Sequence, residues 1–343
     1  ETGEPTTKTI LTETKDNLGN FEFVAEDGGL YQISVEGYHF NEISGALSTG
    51  PLLLRAVYRA NSSNANLTVV NVLTHLINKR VRYLVNNGLG TLDAITQSQG
   101  ELINTLNNTL LLTSDIPDFT RLSVYNLDDT SEIGNAYLLA LSATLYQAAT
   151  TKAEQSGSVD GELTLLINTI ASDFEPDGMI SSQLTIELTN ATRLLNPDTI
   201  AQNLKQRSVY AINVELDVPD INIFLDTDGD GVLNHLDSDD DDDGILDIAD
   251  ENPYDFEIIP KSNQSFVTII DAEIPLDLEF NKPRVKPYFI EITNPPAHGT
   301  ISGTDPLLIY APHSGYSGGD EFSYRVNSVD YSSNEVSVSI IVN

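Results

Sequence analysis

The chain has 343 residues, with 51 Asp or Glu against 17 Lys or Arg, giving a formal net charge of −34 and no cysteine. A surface of that sign repels phosphate backbones, which excludes nucleic acid as a partner, and no apolar run approaches the ~18–20 residues of a membrane span, which excludes direct membrane insertion. Without cysteine there are no disulfides, thiolate metal sites or cysteine nucleophiles, and self-repulsion of this size calls for cations, divalent metal first and a salty habitat second.

An apolar content of 40% is that of a folded protein, and the length suggests two to four domains. The opening Glu1-Thr2-Gly3 reads as added sequence, with a signal or anchor trimmed away before it. Asn-x-Ser/Thr sequons at Asn61, Asn66, Asn107, Asn190 and Asn263 matter only in a eukaryotic secretory pathway and are chance matches in a bacterium.

From Lys8 to Tyr58 the pattern predicts β-structure. Phe21–Val24 alternates, Leu30–Val35 follows, and Asn17-Leu18-Gly19-Asn20 and Glu26-Asp27-Gly28-Gly29 are turns. Thr12–Phe21 with Tyr31–Tyr38 resembles part of the prealbumin-like carboxypeptidase regulatory-like domains. From Val69 the period shifts to 3.6: Val69, Val72, Leu73, Leu76 and Ile77 share a helical face that Gly88 ends. Thr91 is placed to cap a second helix carrying Leu92, Ile95, Leu102, Ile103 and Leu106. Further helices are expected over Glu132–Glu154, Glu162–Asp173 and Ser181–Leu195, and the last begins near Asn196-Pro197-Asp198, where proline suits a first turn. Val70–Leu76 resembles segments of bacterial surface lipoproteins, a likeness that implies no activity.

An apolar, β-leaning connector, Tyr210–Leu225, leads into an aspartate run. Beyond Pro253 strands are expected at Phe266–Ile270, Tyr288–Ile292, Glu321–Val326 and Glu335–Val342. Pro295–Thr300, Tyr310-Ala311-Pro312 and Gly318-Gly319-Asp320 resemble the cadherin-like or Ig-like tandem repeats of large bacterial adhesins.

The aspartate run carries the chemistry. Asp226, Asp228 and Asp230 occupy positions 1, 3 and 5 of a calcium loop, with Gly231 at 6, the Val232 carbonyl at 7, Asn234 at 9 and Asp237 at 12. A second copy runs Asp239, Asp241, Asp243, Gly244, Ile245 (carbonyl), Asp247 and Asp250. Alternate carboxylates turn inward around one ion while glycine permits the sharp bend, and hard oxygen donors select calcium over zinc or copper. The even-numbered Asp240 and Asp242 are expected to face water. The copies start 13 residues apart, Asp226 to Asp239, which leaves no room for the helix that EF-hands and dockerins place after each loop. The spacing, and Asp in place of Glu at position 12, resemble the type 3 repeats of thrombospondins, in which the chain winds around a string of calcium ions. A solvated acidic linker without metal is the plainer alternative.

Other motifs weigh less. Gly315-Tyr316-Ser317-Gly318-Gly319 matches the hydrolase nucleophile pattern but precedes a strand, where that motif needs a helix. Asp173–Gly178 is half a calcium loop with Leu184, a non-ligand, at position 12. His39, His75, His235, His298 and His313 show no metal-binding spacing, and His75 reads as a core residue.

The expected fold is thus multidomain α+β. It comprises an N-terminal β segment (1–60), an all-α helical domain (61–209), a connector and thrombospondin type 3-like calcium linker (210–255) and a C-terminal antiparallel β-sandwich (256–343). The expected function is a non-enzymatic, extracellular protein of a bacterial cell surface, with two or more Ca2+ stiffening the linker and an unidentified protein or glycan as ligand. A glycan- or peptide-binding module using Tyr38, Phe40 and Tyr58 as a platform is the alternative.

Overall fold

A computed structural model describes residues 9–16, 19–26, 28–60, 68–107, 109–110, 118–125, 132–282, 288–304, 307–328 and 331–343. The expected opening tag, the sequons at Asn61 and Asn66 and the turn positions Asn17, Leu18 and Asp27 lie outside them. The chain divides into two compact units, Glu1–Thr227 with Leu233–His235, and Asp228–Val232 with Leu236–Asn343.

In the first unit, strands β1 (Leu30–Gly37), β2 (Phe40–Asn41), β3 (Ala46–Leu47) and β4 (Leu52–Arg59) precede six helices among the described residues. These are α1 (Val72–Asn86), α2 (Thr91–Leu106), α3 (Glu132–Ser156), α4 (Val159–Phe174), α5 (Ser182–Thr192) and α6 (Pro197–Ile212). β1 pairs antiparallel with β4, Leu30 opposite Arg59 and Gly37 opposite Leu52, and β2 with β3. The expected strand at Phe21–Val24 is absent. Phe21 and Phe23 stack on each other, and Phe23 meets Tyr31 and Tyr58 edge-on, so ring packing accounts for the apolar alternation there.

Capping sets the helix starts. Asn71 and Thr74 form a reciprocal capping box, Thr74 N donating to Asn71 Oδ1 at 2.9 Å and Asn71 N to Thr74 Oγ1 at 3.0 Å. α1 therefore begins at Val72, and Val69 stays outside it, donating its N–H to Thr120 O. Gly90, not Thr91, caps α2, and Thr91 is buried as its first residue. α6 opens on Asn196 and Pro197, with Thr199 N donating to Asn196 Oδ1 at 2.8 Å. α3 is buried on nearly every face from Gly134 to Ala149, the mark of a helix surrounded by others. The core around it takes in β-strand residues Phe40, Leu52, Leu54 and Val57.

The connector after α6 contains no strand. Residues 213–221 are irregular, and Asn222–Phe224 form a 3₁₀ turn. Val214 is exposed, but Ile221, Phe224 and Leu225 enter the helical core, Phe224 edge-on to Tyr137 at 5.5 Å.

The second unit holds β5 (Gln264–Thr268), β6 (Ile274–Leu276), β7 (Tyr288–Asn294), β8 (Gly299–Ser302), β9 (Leu308–Pro312), β10 (Gly318–Ser328) and β11 (Val336–Val342). They form a four-stranded sheet ordered β5-β11-β10-β7 and a three-stranded sheet ordered β6-β9-β8. Both sheets feed one core, with Leu276 and Tyr310 from the smaller meeting Phe322, Tyr324, Val338 and Ile340 from the larger. β5 runs parallel to β11, so the larger sheet is not wholly antiparallel. The three short motifs noted in the sequence converge on Asp320, a buried carboxylate. It accepts from Ala297 N and His298 N at 3.0 Å each and from the Tyr310 hydroxyl at 2.8 Å. A Cβ at Gly299 would overlap the Tyr310 ring, which explains the glycine between them.

Candidate metal centre

The two sequence copies fold alike. Asp230 N donates to Asp228 Oδ1 at 2.9 Å and Val232 N to Asp230 Oδ1 at 2.7 Å. Thirteen residues on, Asp243 N donates to Asp241 Oδ1 at 3.1 Å and Ile245 N to Asp243 Oδ1 at 2.7 Å. Each is a short aspartate turn in which the side chain bonds the backbone two residues ahead. Asp239 N donates to Asp237 Oδ1 and Asn252 N to Asp250 Oδ1, again in step. A 3₁₀ turn follows each bend, at Asn234–Leu236 and Asp247–Ala249, and no α-helix intervenes. Gly231 and Gly244 have φ of 97° and 95°, a left-handed conformation that L side chains rarely adopt.

The geometry gathers two triads, Asp226 with Asp228 and Asp230, and Asp239 with Asp241 and Asp243. In each, one carboxylate oxygen per residue lies within 4.8 Å of the others, so either triad could hold a metal ion. Asp228, Asp241 and Asp243 are buried, and Asp226 and Asp239 partly so. In the second copy Asp239 Oδ1, Asp241 Oδ2 and Asp250 Oδ2 are buried oxygens with no hydrogen-bond donor. Val232 is exposed and Ile245 half-buried, both at the bend where their carbonyls were expected to ligate.

Asn234 is committed locally. Its Oδ1 accepts from Thr227 N at 3.0 Å, and its Nδ2 donates to Thr227 Oγ1 at 2.9 Å. The same bond recurs in the second copy, where Asp240 N donates to Asp247 Oδ1 at 2.9 Å. Here the structure corrects the reading of Asp240 as water-facing: it is 6% exposed, like Thr227 at 5%. Position 2 of each loop turns inward because its N–H closes the loop onto position 9. In the first copy that pair is the neutral Thr227–Asn234; in the second it is two carboxylates. Asp240 Oδ1 is buried without a donor. Asp242 is exposed as expected, with φ of 57° where the first copy has Gly229 at 79°.

Electrostatics follow from this crowding. Burial first, then the charges of Asp247, Asp237, Asp228 and Asp239, push the Asp240 carboxyl up to about 7. Burial first, then Asp243, Asp250 and Asp239, push Asp241 up to about 8. Burial also raises Asp239 and Asp243. Like-charged carboxylates at this spacing cannot all ionise without cations between them.

The second loop is anchored within its own unit by a residue sequence reading missed. Asn281 Nδ2 donates to Asp243 O at 2.7 Å and to Glu257 O at 2.8 Å, and Ile259 N donates to Asn281 Oδ1 at 2.6 Å. Glu257 N reaches Asp243 Oδ2 at 3.3 Å. No local pattern marks Asn281, which lies 38 residues from Asp243.

The lesser motifs resolve as turns. Gly318 opens β10, so a strand, not a helix, follows Ser317. Asp173 Oδ2 accepts from Ser181 N and Asp177 Oδ1 from Met179 N at the end of α4, while Leu184 is buried in the core. His75 is buried with both ring nitrogens unpartnered, and burial, then Arg55 and Lys79, lowers it to about 4. Tyr38 is exposed, Phe40 packs on the helical core and Tyr58 packs on Phe23, so the three rings do not make one exposed platform. Among the described residues no helix is long and apolar enough to cross a membrane.

No family model matches the chain, and no curated protein matches it. Among solved structures it is similar to an endo-fucoidan hydrolase of glycoside hydrolase family 107, at 18% identity over 25% of this chain and 13% of that one, TM-score 0.21. It is also similar to a quinonprotein alcohol dehydrogenase-like protein from Bacteroides thetaiotaomicron, at 13% identity over 24% and 20% of the two chains, TM-score 0.17. A third is a nucleoside hydrolase-related hypothetical protein from Saccharophagus degradans, associated with carbohydrate metabolism, at 13% identity over 77% and 68%, TM-score 0.21. The chain thus spans 13% and 20% of the first two proteins. All three TM-scores are too low to place it in those folds.

Proposed function

We propose that the Asp226–Asp250 segment binds two or more calcium ions, and that this ion-ordered segment joins a helical unit to an Ig-like or cadherin-like β-sandwich in a non-enzymatic, extracellular adhesion protein of a bacterial surface. The observation that carries the reading is the set of buried carboxylate oxygens without donors in the second copy: Asp239 Oδ1, Asp240 Oδ1, Asp241 Oδ2 and Asp250 Oδ2. A buried, unpaired carboxylate costs several kcal/mol, and buried charges in proteins are paired or coordinate metal. An all-oxygen, multiply charged donor set suits calcium, which takes about six to eight oxygens and tolerates irregular geometry.

The first ion would be held by Asp226, Asp228 and Asp230 with the Val232 carbonyl, and Asp237 closes the loop. The second would take Asp239, Asp241 and Asp243 with the Ile245 carbonyl and Asp250. Asp240 and Asp247 extend the donor set between the loops. The aspartate turns supported by Gly231 and Gly244 aim alternate carboxylates inward before any ion arrives, which lowers the ordering cost of binding. Calcium supplies the positive charge that lets these groups ionise side by side, so ion binding and ordering of the segment are one equilibrium. The likeness to thrombospondin type 3 repeats supports the same reading.

Limited proteolysis read by mass spectrometry, in millimolar calcium and then in excess chelator, tests it. Cleavage confined to Asp226–Asp250 and seen only in chelator is expected. Equal cutting in both conditions would make the segment a plain acidic tether.

A further inference from the structure

The first unit contains a cavity of about 1610 Å³, bounded by the β1–β4 strands, the start of α1, and α3, α4 and α6. Its walls are largely apolar, with Leu52, Leu54, Leu145, Leu163, Ile167 and Leu204 among them. Three buried polar atoms of its lining residues have no hydrogen-bond partner: Glu42 Oε1, His39 Nδ1 and Thr68 Oγ1. Glu42 is 5% exposed. Its backbone is fixed, since Asn203 Nδ2 donates to Glu42 O at 2.9 Å and to Ile43 O at 3.0 Å. Its carboxyl is raised by burial, an effect eased by the Ser142 hydroxyl and by its own backbone N–H. His39 is held by its other nitrogen, Nε2, against the Tyr146 hydroxyl.

A buried acid with one unmet oxygen costs free energy that folding alone gives no reason to retain, and a natural structure that keeps such a group usually has a task for it. We propose that this cavity binds a small molecule with a protonated amine head and an apolar body, the ammonium group meeting Glu42 and the body lying along the leucine-rich walls. Charge favours a cationic head. Of the lining residues, Asp16, Glu22, Glu36 and Glu42 are acidic against Arg121 and Arg207, within a chain of net charge −34. The Arg207 guanidinium lies over the rings of Phe40 and Tyr210, at 5.7 and 5.8 Å. The volume exceeds the ~300–1,000 Å³ of a usual ligand pocket, so an extended apolar body is accommodated. The acidic loops play no part in this site.

The test uses decylammonium, decanol and decanoate, below their aggregation concentrations, titrated into the whole chain by calorimetry. The variants are Glu42→Gln, nearly isosteric and free of the buried acid, and Glu154→Gln, an exposed acid on α3. Decylammonium should saturate at one per chain, and at least tenfold more weakly in Glu42→Gln, with Glu154→Gln unchanged. Decanol and decanoate should bind far less well. Because the chain has no tryptophan, Leu54→Trp supplies a second readout, a single emission that shifts to the blue when the cavity fills. Unsaturable binding, or equal loss in both Gln variants, would mean general attraction to an acidic surface and would overturn the proposal. So would decanol matching decylammonium, or Glu42→Gln binding as well as the parent chain.

Discussion

Replacing Asn281 with alanine removes the three hydrogen bonds that tie Asp243 O, Glu257 O and Ile259 N together. Each is worth about 1 kcal/mol net, and Asn281 is only half-buried, so the β unit should lose about 2–3 kcal/mol. A second effect falls on the ion. Asp243 belongs to the second triad, and once its carbonyl is released, its backbone must be ordered by calcium itself. Fixing one residue costs about 1–2 kcal/mol, and 1.4 kcal/mol is a tenfold change in affinity. One calcium site should therefore weaken about tenfold in Asn281→Ala while the other is unchanged. Calorimetry with calcium reads the affinities, and hydrogen exchange should rise across Asp239–Ile259 in the variant. Asn281→Asp should be worse, since it loses both donated bonds and places another charge beside Asp243. If Asn281→Ala lowered the stability of the β unit while both calcium affinities held, Asn281 would merely close that unit, and its role in holding the loop would fall.

The raised carboxyls of Asp240 and Asp241, about 7 and about 8, lie above an unfolded value of roughly 3.9. Between those values the folded chain binds more protons than the unfolded one. In chelator the β unit should thus lose stability as pH rises from about 4 to about 8, and calcium should abolish or reverse that slope, which urea melts at a series of pH values would show. The double change Asp240→Thr with Asp247→Asn gives the second loop the neutral pair of the first. It should stabilise the calcium-free chain by about 1–3 kcal/mol in urea melts and reduce the calorimetric calcium stoichiometry. Gly231→Ala or Gly244→Ala forces an L residue into positive φ, and each should cost about 1–2 kcal/mol in thermal melts in calcium. His75, lowered to about 4, takes up its proton readily only when unfolded. The stability it confers is present above about 6.5 and is lost as pH falls toward 4, by about 3 kcal/mol. His75→Leu should flatten the acid limb of the helical unit's melting curve by that amount, and an unchanged limb would show that the imidazole is not buried neutral.

Helices and strands were legible where their apolar residues keep a regular period. The 3.6 period of Leu73, Leu76 and Ile77 marks α1, although Thr74, His75 and Asn78 are buried as well and the helix starts at Val72 rather than Val69. The strict alternation of Val336–Val342 reports a strand with one buried face. Apolar sequence without a regular partner misled. Tyr210–Leu225 leans toward β by composition, yet Tyr210 is exposed on α6 and Val214 is exposed beyond it. Ile221, Phe224 and Leu225 are buried by the helical core, and a residue needs no strand to enter a core. Phe21–Val24 alternates because Phe23 packs on Tyr31 and Tyr58. The short strands β6, β8 and β9 escaped notice because three to five residues carry too little periodicity to read. Glu42 and its cavity escaped entirely, since an acid in a short hairpin looks the same in sequence whether it meets water or leucines.

In the acidic segment the split between what was and was not legible has a single cause. Positions 1, 3, 5 and 6 could be read because their roles are local: an aspartate turn bonds two residues ahead, and glycine answers for its own φ. Position 2 could not, because its direction is set by position 9, seven residues on. Thr227 and Asp240 are drawn inward by the same backbone bond, to Asn234 and to Asp247. Alternation alone assigns an even position to water, and it fails wherever a backbone N–H has a partner that outweighs the side chain's preference for solvent. A threonine there closes the turn at no electrostatic cost. An aspartate is tolerated only if its charge is met, so the substitution that makes the second copy unstable by itself is also the one that gives it more to offer a cation.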